Sequence, residues 1–186
     1  MGTAQSPVLI AASALVHETA RIGRNTKVWA FAQIAEAAVI GNDCILGNGV
    51  YIDRHVKVGN RVWIQNKALL YQGVEIADDV FIGPGVCFTN DRRPKSGMRR
   101  SMKSVTWKVG RGASIGANAT VLPDTPIGAC AVVGAGSVVT KPVPDHALVY
   151  GNPAVQYKWV CICGTLMPKS KKFSLCKNCK KTKGKR

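Results

Sequence analysis

One apolar residue in every six, held in register from Val16 to Phe88, limits what this chain can become. The leading position of each hexad is aliphatic at 16, 22, 28, 34, 40, 46, 52, 58, 64, 70, 76 and 82, and aromatic at Phe88. The fifth position is small or β-branched throughout, as in Thr26, Ala32, Ala38, Cys44, Val50, Val62 and Val86. A helix is excluded, because six residues advance an α-helix by roughly 600° and would scatter the leading positions round the cylinder. In extended chain, positions one and five share parity and point to one face. Gly, Asn and Asp fill many of the second to fourth positions, where the chain must bend. Strands this short bury nothing alone, so successive coils must stack. The spacing predicts an all-β protein built on a parallel β-helix.

The repeat is interrupted once. It breaks at Thr89-Asn90-Asp91 and resumes at Val109, and the intervening residues 91–108 carry Pro94, Gly97 and no strand pattern. A second run of hexads covers 109–144 and is expected to end at Pro142 and Pro144. Residues 1–15 read as a lead-in, 16–90 and 109–144 as coils, 91–108 as a basic inserted loop, 145–158 as a closing segment and 159–186 as a separate tail. An insertion of this length in a strict solenoid is usually functional and projects from one face of the stack.

Charge follows the same division. Of a formal +16, the stretch with Arg92, Arg93, Lys95, Arg99, Arg100, Lys103 and Lys108 against Asp91 contributes +6, and the nine cations after Cys163 contribute +9. The coils are therefore nearly neutral, and the basic loop suits an anionic ligand such as a phosphorylated compound or nucleic acid. No apolar run approaches the roughly 20 residues that span a bilayer. The N-terminus lacks a secretory pattern, so a cytoplasmic location is expected. In that compartment the seven cysteines are thiols or metal ligands.

Certain segments match a known family. They are Val28-Trp-Ala-Phe, Ile64-Gln-Asn-Lys, Leu70-Tyr-Gln-Gly-Val, Phe88-Thr-Asn-Asp-Arg-Arg-Pro-Lys-Ser, Gly112-Ala-Ser-Ile-Gly-Ala-Asn-Ala-Thr, Val133-Gly-Ala-Gly-Ser-Val-Val-Thr-Lys and Gly151-Asn-Pro-Ala. With them the chain resembles the hexapeptide-repeat acyltransferases of left-handed parallel β-helix fold, and among these the N-acetyltransferases of nucleotide-linked 3-amino sugars. The resemblance implies a homotrimer with three hexads per coil and active sites between subunits. It also implies acetyl-CoA as co-substrate and the 3-amino group of a nucleotide sugar as acceptor. The Phe-Thr-Asn-Asp segment leans towards dTDP-3-amino-3,6-dideoxyhexoses, with UDP-linked 3-amino sugars the other candidates.

Acetyl transfer from a thioester to an amine needs a neutral amine, a site for the oxyanion and a route for the proton. Asn90 matches the asparagine of the motif, and its amide oxygen is placed to accept a hydrogen bond from the sugar amine; an Asx turn opening the loop is the plainer reading. Asn66, Tyr71 and Asp91 are candidate sugar or nucleotide contacts, although Asn66 also fits a stack of turn asparagines with Asn48. Arg92, Arg93 and Lys95 suit a diphosphate; relatives often have Arg where Lys95 stands, which removes bidentate pairing there. Relatives also carry histidines in the stretch that reads Ala30-Phe-Ala-Gln33 here. Ala117 and Ala135 should stack one coil apart, with Asn118 and Gly136, as a small-residue column for the pantetheine arm. Lys141 would meet a CoA phosphate. For any one alanine a narrow coil is explanation enough. His17, His55 and His146 match no catalytic histidine, and the resemblance implies that the departing CoA sulfur takes the proton.

The tail has its own pattern, Cys161-Ile-Cys163 followed by Cys176-Lys-Asn-Cys179, which resembles two zinc knuckles and suits a structural tetrahedral zinc. Three scattered histidines do not make a zinc site of the β-helical carbonic anhydrase kind. The residues also fit an acetyltransferase for a different small acceptor, or a non-enzymatic, zinc-tailed scaffold that binds nucleic acid. Nucleic acid is not the expected partner.

Overall fold

The computed structural model describes residues 7–97 and 107–168, together with Cys176, Lys177 and Cys179. Arg99, Arg100, Lys103, Lys169, Lys171, Lys172, Lys180, Lys181, Lys183, Lys185 and Arg186, counted above in the basic loop and tail, lie outside these residues.

The strands are two or three residues long through the coils, and before the insertion each pairs in parallel with a strand eighteen residues away. Leu9 lies opposite Lys27, Lys27 opposite Ile45, and Ile45 opposite Trp63. Three hexads therefore complete one coil, and the stack has three faces. The first face runs from Leu9–Ile10 through Lys27–Val28, Trp63–Ile64 and Ser114–Ile115 to Ala147–Gly151. The second runs from Leu15–Val16 through Leu69–Leu70 and Cys87–Phe88 to Val138–Val139, and the third from Arg21–Ile22 to Trp107–Val109.

Leading and fifth positions fill the interior. Leu46, Ile52, Ile64, Leu70, Ile82, Phe88 and Ile115 are fully buried, as are Val50, Val56, Val62 and Val86. Each such side chain contributes roughly 1.5–3 kcal/mol through burial. The fourth position of nearly every hexad has a left-handed backbone, with φ between 53° and 61° at Asn25, Phe31, Ala37, Asp43, His55, Arg61, Lys67, Asp79, Asn118, Asp124, Cys130 and His146. Asn, Asp and Gly recur there because they tolerate that conformation.

Three boundaries differ from the sequence reading. The coils begin one hexad before Val16, since Leu9–Ile10 already pairs with Lys27–Val28; the lead-in lacked the usual turn residues, which hid the register. The insertion ends before Trp107, because Trp107, Lys108 and Val109 pair with Val74, Glu75 and Ile76. Pairs across it are separated by thirty-three residues instead of eighteen, as for Phe81 and Ser114, so fifteen residues are inserted. Trp107 returns the chain to the core, its ring 5.6 Å from that of Phe88. Finally, Pro142 and Pro144 do not end the stack. Ile127 bridges Val143, and Leu148 pairs with Val132, so one shortened side closes a further coil. Pro126 and Pro142 lack N–H groups, which reduces the third face there to isolated bridges without breaking it.

Candidate functional site

The register sorts the candidate residues onto two corners. The corner between the first and second faces carries Asn66, Ala117, Asn118, Ala135 and Gly136. Backbone bonds run up it, from Gly85 N–H to Asn66 O at 2.9 Å, from Asn118 N–H to Pro84 O at 2.8 Å and from Gly136 N–H to Ala117 O at 2.8 Å. Asn118, Ala135 and Gly136 are exposed and Ala117 is half-buried. Gly116 explains the close stacking here, since a side chain on it would run into the backbone of Ala135. Asn66 belongs to the asparagine ladder as well, its Oδ1 accepting the Asn48 N–H at 2.9 Å.

The corner between the second and third faces carries Tyr71, Asn90, Asp91, Arg92 and Lys141. Asn90 follows directly on Thr89, whose N–H and hydroxyl both donate to Val121 O, at 2.9 and 3.1 Å. That pair holds the mouth of the insertion against the coil above, and leaves the half-buried Asn90 as the first residue beyond it. Asp91 accepts the Arg93 N–H at 2.7 Å in a local turn. The Arg92 guanidinium folds back to donate to Pro123 O at 2.6 Å and to Thr125 Oγ1 at 3.3 Å. Of the expected phosphate ligands, Arg92 is thus tied to the coil, while Arg93 and Lys95 stand in solvent.

Below Asn90, Tyr71 belongs to a polar group whose members Tyr51 and Asp53 the motifs did not single out. Tyr71 and Tyr51 pack with ring centres 5.5 Å apart. Asp53 accepts from the Tyr51 hydroxyl at 3.1 Å, the Arg54 N–H at 2.8 Å and the Gln72 N–H at 3.1 Å. Burial, then the Asp53 carboxylate, pushes the Tyr51 hydroxyl up from its ordinary value, so it stays a donor. The available signal was positional: Asp53 and Gln72 occupy the second and third places of their hexads, on the coils that lead to Phe88. A hollow of about 330 Å³ also opens on the second face, lined by residues including Leu15, His17, Ile34 and Tyr51. It sits in the first coils, on the far side of Tyr71 from Asn90, and is apolar rather than catalytic in character. His17 lies on the same corner as Asn90 but four coils below it, where it bonds Thr19, and His146 stands between the third and first faces beside Val160 O.

The four tail cysteines converge. The sulfurs of Cys161, Cys163, Cys176 and Cys179 all lie within 4.8 Å of one another. Cys161 and Cys176 are buried, Cys163 is exposed and Cys179 half-buried. Hydrogen bonds from Thr165 draw the Cys163 thiol down to about 6, while the Cys179 thiol, bonded first to Cys163, is pushed up to about 12. The other cysteines are dispersed: Cys44 in the core, Cys87 on the outer second face, Cys130 at a turn.

The family model for bacterial transferase hexapeptides (six repeats) matches residues 19–54 and 55–90, and that for the hexapeptide repeat of succinyl-transferase matches 108–141. The chain is 39% identical over 152 residues to dTDP-3-amino-3,6-dideoxy-alpha-D-galactopyranose 3-N-acetyltransferase of Aneurinibacillus thermoaerophilus, covering 78% of this chain and 76% of that protein. It is 38% identical over 109 residues to serine acetyltransferase 2 of Arabidopsis thaliana, covering 59% of this chain and 28% of that one. Among solved structures it is similar to a GDP-perosamine N-acetyltransferase variant of Caulobacter crescentus in complex with CoA and GDP-perosamine. The TM-score is 0.57 at 25% identity, over 82% of this chain and 57% of that one. No helix among the described residues is long and apolar enough to cross a membrane.

Proposed function

The chain belongs to the hexapeptide-repeat acyltransferases, and on that premise we propose that it is an N-acetyltransferase moving acetyl from acetyl-CoA to the 3-amino group of a nucleotide-activated sugar, a dTDP-3-amino-3,6-dideoxyhexose in the first instance. The observation that carries this reading is the 39% identity to a 3-N-acetyltransferase of that substrate class over 78% of the chain. Formation of a surface polysaccharide is the use such a product suits.

In the proposed reaction the amine nitrogen attacks the thioester carbonyl, the C–N bond forms, and the carbonyl electrons move onto oxygen. Collapse of this intermediate breaks the C–S bond, and the leaving sulfur takes the amine proton. Asn90 accepts one N–H of the amine through Oδ1 and aims the lone pair. Ala117 and Ala135, flanked by Asn118 and Gly136, leave room for the pantetheine arm and for a backbone N–H at the oxyanion. Arg93 and Lys95 meet the diphosphate, Tyr71 and Asn66 the sugar or base, and Lys141 a CoA phosphate.

Ala117, Asn118, Ala135 and Gly136 stand on a different corner from Asn90 and Lys141, so a site containing both sets needs the corner of a second copy. The outer faces support such an assembly. Ile45, Trp63 and Phe81 line up on the first, with Trp63 51% and Phe81 38% exposed, and Leu15, Tyr51 and Leu69 on the second. The third instead presents Lys57 and Lys108 to Glu75 at 3.4 and 3.5 Å. Two apolar faces per chain close a ring of three, which is the proposed homotrimer. A cytoplasmic location accords with a nucleotide-sugar acceptor. We also assign a structural zinc to the four cysteines, because sulfur fills every ligand position and leaves none for a substrate.

The test is Asn90→Ala. Turnover of the amino-sugar nucleotide should fall about 100-fold with CoA binding and assembly unchanged, as for loss of an orienting contact. Near-normal kcat in that variant sinks the assignment of Asn90, and failure to acetylate any of a panel of dTDP- and UDP-linked 3-amino sugars sinks the substrate class.

A further inference from the structure

We propose that the zinc site is the end cap of the β-helix, fastening the tail across the last coil so that the terminal hydrogen-bonding edge is not left open. This rests on the zinc assignment and is independent of acetyl transfer.

A stack of parallel coils ends in a coil with no neighbour to receive its backbone bonds, and open strand edges invite association. At the C-terminal end the second face stops with Val138–Val139. The first face does not stop. The chain turns at Gly151 and returns antiparallel as Ala154–Val160 against Ala147–Gly151, and Leu166–Met167 then pairs with Trp159 and Val160. Trp159 packs on the core, and Val160 is buried. The Val160 N–H donates to His146 O at 2.7 Å, and Val160 O lies 3.1 Å from His146 Nδ1. This pins the returning strand to the final turn, and Cys161 is the next residue.

The first ligand pair is therefore anchored on the stack itself. The Cys161 N–H donates to Thr165 O at 2.9 Å and the Gly164 N–H to Cys161 O at 2.8 Å. Gly164, at φ 86°, closes this tight turn and sets Cys163 beside Cys161. The second pair arrives from beyond the strands. The Cys176 N–H donates to the Cys161 sulfur at 3.3 Å, and the sulfurs of Cys163 and Cys176 are 3.5 Å apart. Tetrahedral zinc, with Zn–S of about 2.3 Å, sets its sulfurs about 3.8 Å apart. Four sulfurs mutually within 4.8 Å need little adjustment to reach that, and no pair is joined as a disulfide. A zinc tetrathiolate carries a net double negative charge, and Lys177, a cation, lies in sequence between two of the ligands.

Without the ion, Cys176 and Cys179 meet the end of the stack through thiol contacts, which are weak. With it, residues on either side of a thirteen-residue step in sequence become one unit on the last coil. The ion thus converts a hairpin on one face into a closed end.

The experiment measures metal content in protein purified without added metal. It also follows amide hydrogen exchange across 147–167 in the full chain, before and after chelation and in Cys179→Ser. One zinc per chain is expected, lost on chelation and absent from the variant. Exchange of 154–167 should rise by about tenfold or more while coils up to Val133 stay protected, and added zinc should restore the wild type. Absence of metal, or iron in place of zinc, overturns the zinc assignment and the cap with it. Zinc that leaves without any change in exchange overturns the cap alone. If Cys179→Ser does not fold, chelation and readdition on the wild-type chain give the same decision. Acetyl transfer measured in parallel should hold within about twofold, which separates this result from any failure at Asn90.

Discussion

At Ala37 the chain holds a φ of 53°, a conformation that costs an L-residue about 1–2 kcal/mol and glycine almost nothing. The same turn position in other hexads is Gly49, Gly85, Gly112 or Gly136, all at positive φ. Ala37→Gly should therefore stabilise the coil by about 1 kcal/mol, after allowing for glycine's larger unfolded-state entropy, and raise the midpoint of thermal unfolding. A lower midpoint would mean that the alanine methyl is packing and not strained. Asn90 is the contrasting residue. It also sits at a corner, but at the third position, and its neighbours Thr89 and Arg92 tie themselves to the coil above while its own amide is left for another partner. The motif pointed to Asn90 from sequence; the engagement of Arg92 with Pro123 and Thr125 was not visible there, because it depends on which coil lies overhead.

For the coils, hydrogen bonds between fixed positions matter as much as apolar burial. Thr26 is fully buried at a fifth position where most hexads carry Ala or Val. Its hydroxyl donates to Gly41 O at 2.9 Å and accepts the Cys44 N–H at 3.1 Å. Thr26→Val keeps the shape but strands both groups, and should cost about 1–3 kcal/mol in urea denaturation at fixed protein concentration. An unchanged midpoint would show that the two backbone groups find other partners. The period itself was fully legible, since parity alone sends positions one and five inward. The limits of the coils were less so. Trp107 and Lys108 read as the end of a basic run, yet Trp107 is an inward fifth position closing on Phe88. Pro142 and Pro144 read as terminators, yet a solenoid face tolerates a missing N–H better than a helix does, because neighbouring residues keep the coils bonded. The first hexad was hidden because Ala11, Ala12 and Ser13 lack the usual turn signature.

As a whole molecule the β-helix is unevenly surfaced, and this decides how the two corners proposed to form the site can meet. One chain puts Asn90 and the small-residue column on different edges of the stack, and no motion within a rigid solenoid brings them together. A neighbouring copy can supply the missing corner if the apolar first and second faces pack together. The charged third face, where Lys57, Glu75 and Lys108 form a ladder, then remains in solvent. Trp63→Glu places a charge at the centre of the first face, between Ile45 and Phe81, without touching any residue assigned to substrate or CoA. Light scattering should then report a monomer where the wild type should report the proposed trimer, and the far-ultraviolet circular dichroism should stay that of a β-protein. Acetyl transfer should be lost with the assembly, because each site loses one of its two corners. Lys57→Glu on the third face is the control and should leave mass and turnover as they are. A monomeric Trp63→Glu chain that still acetylates at the wild-type rate would place the whole site within one subunit, and would overturn the division of labour between corners.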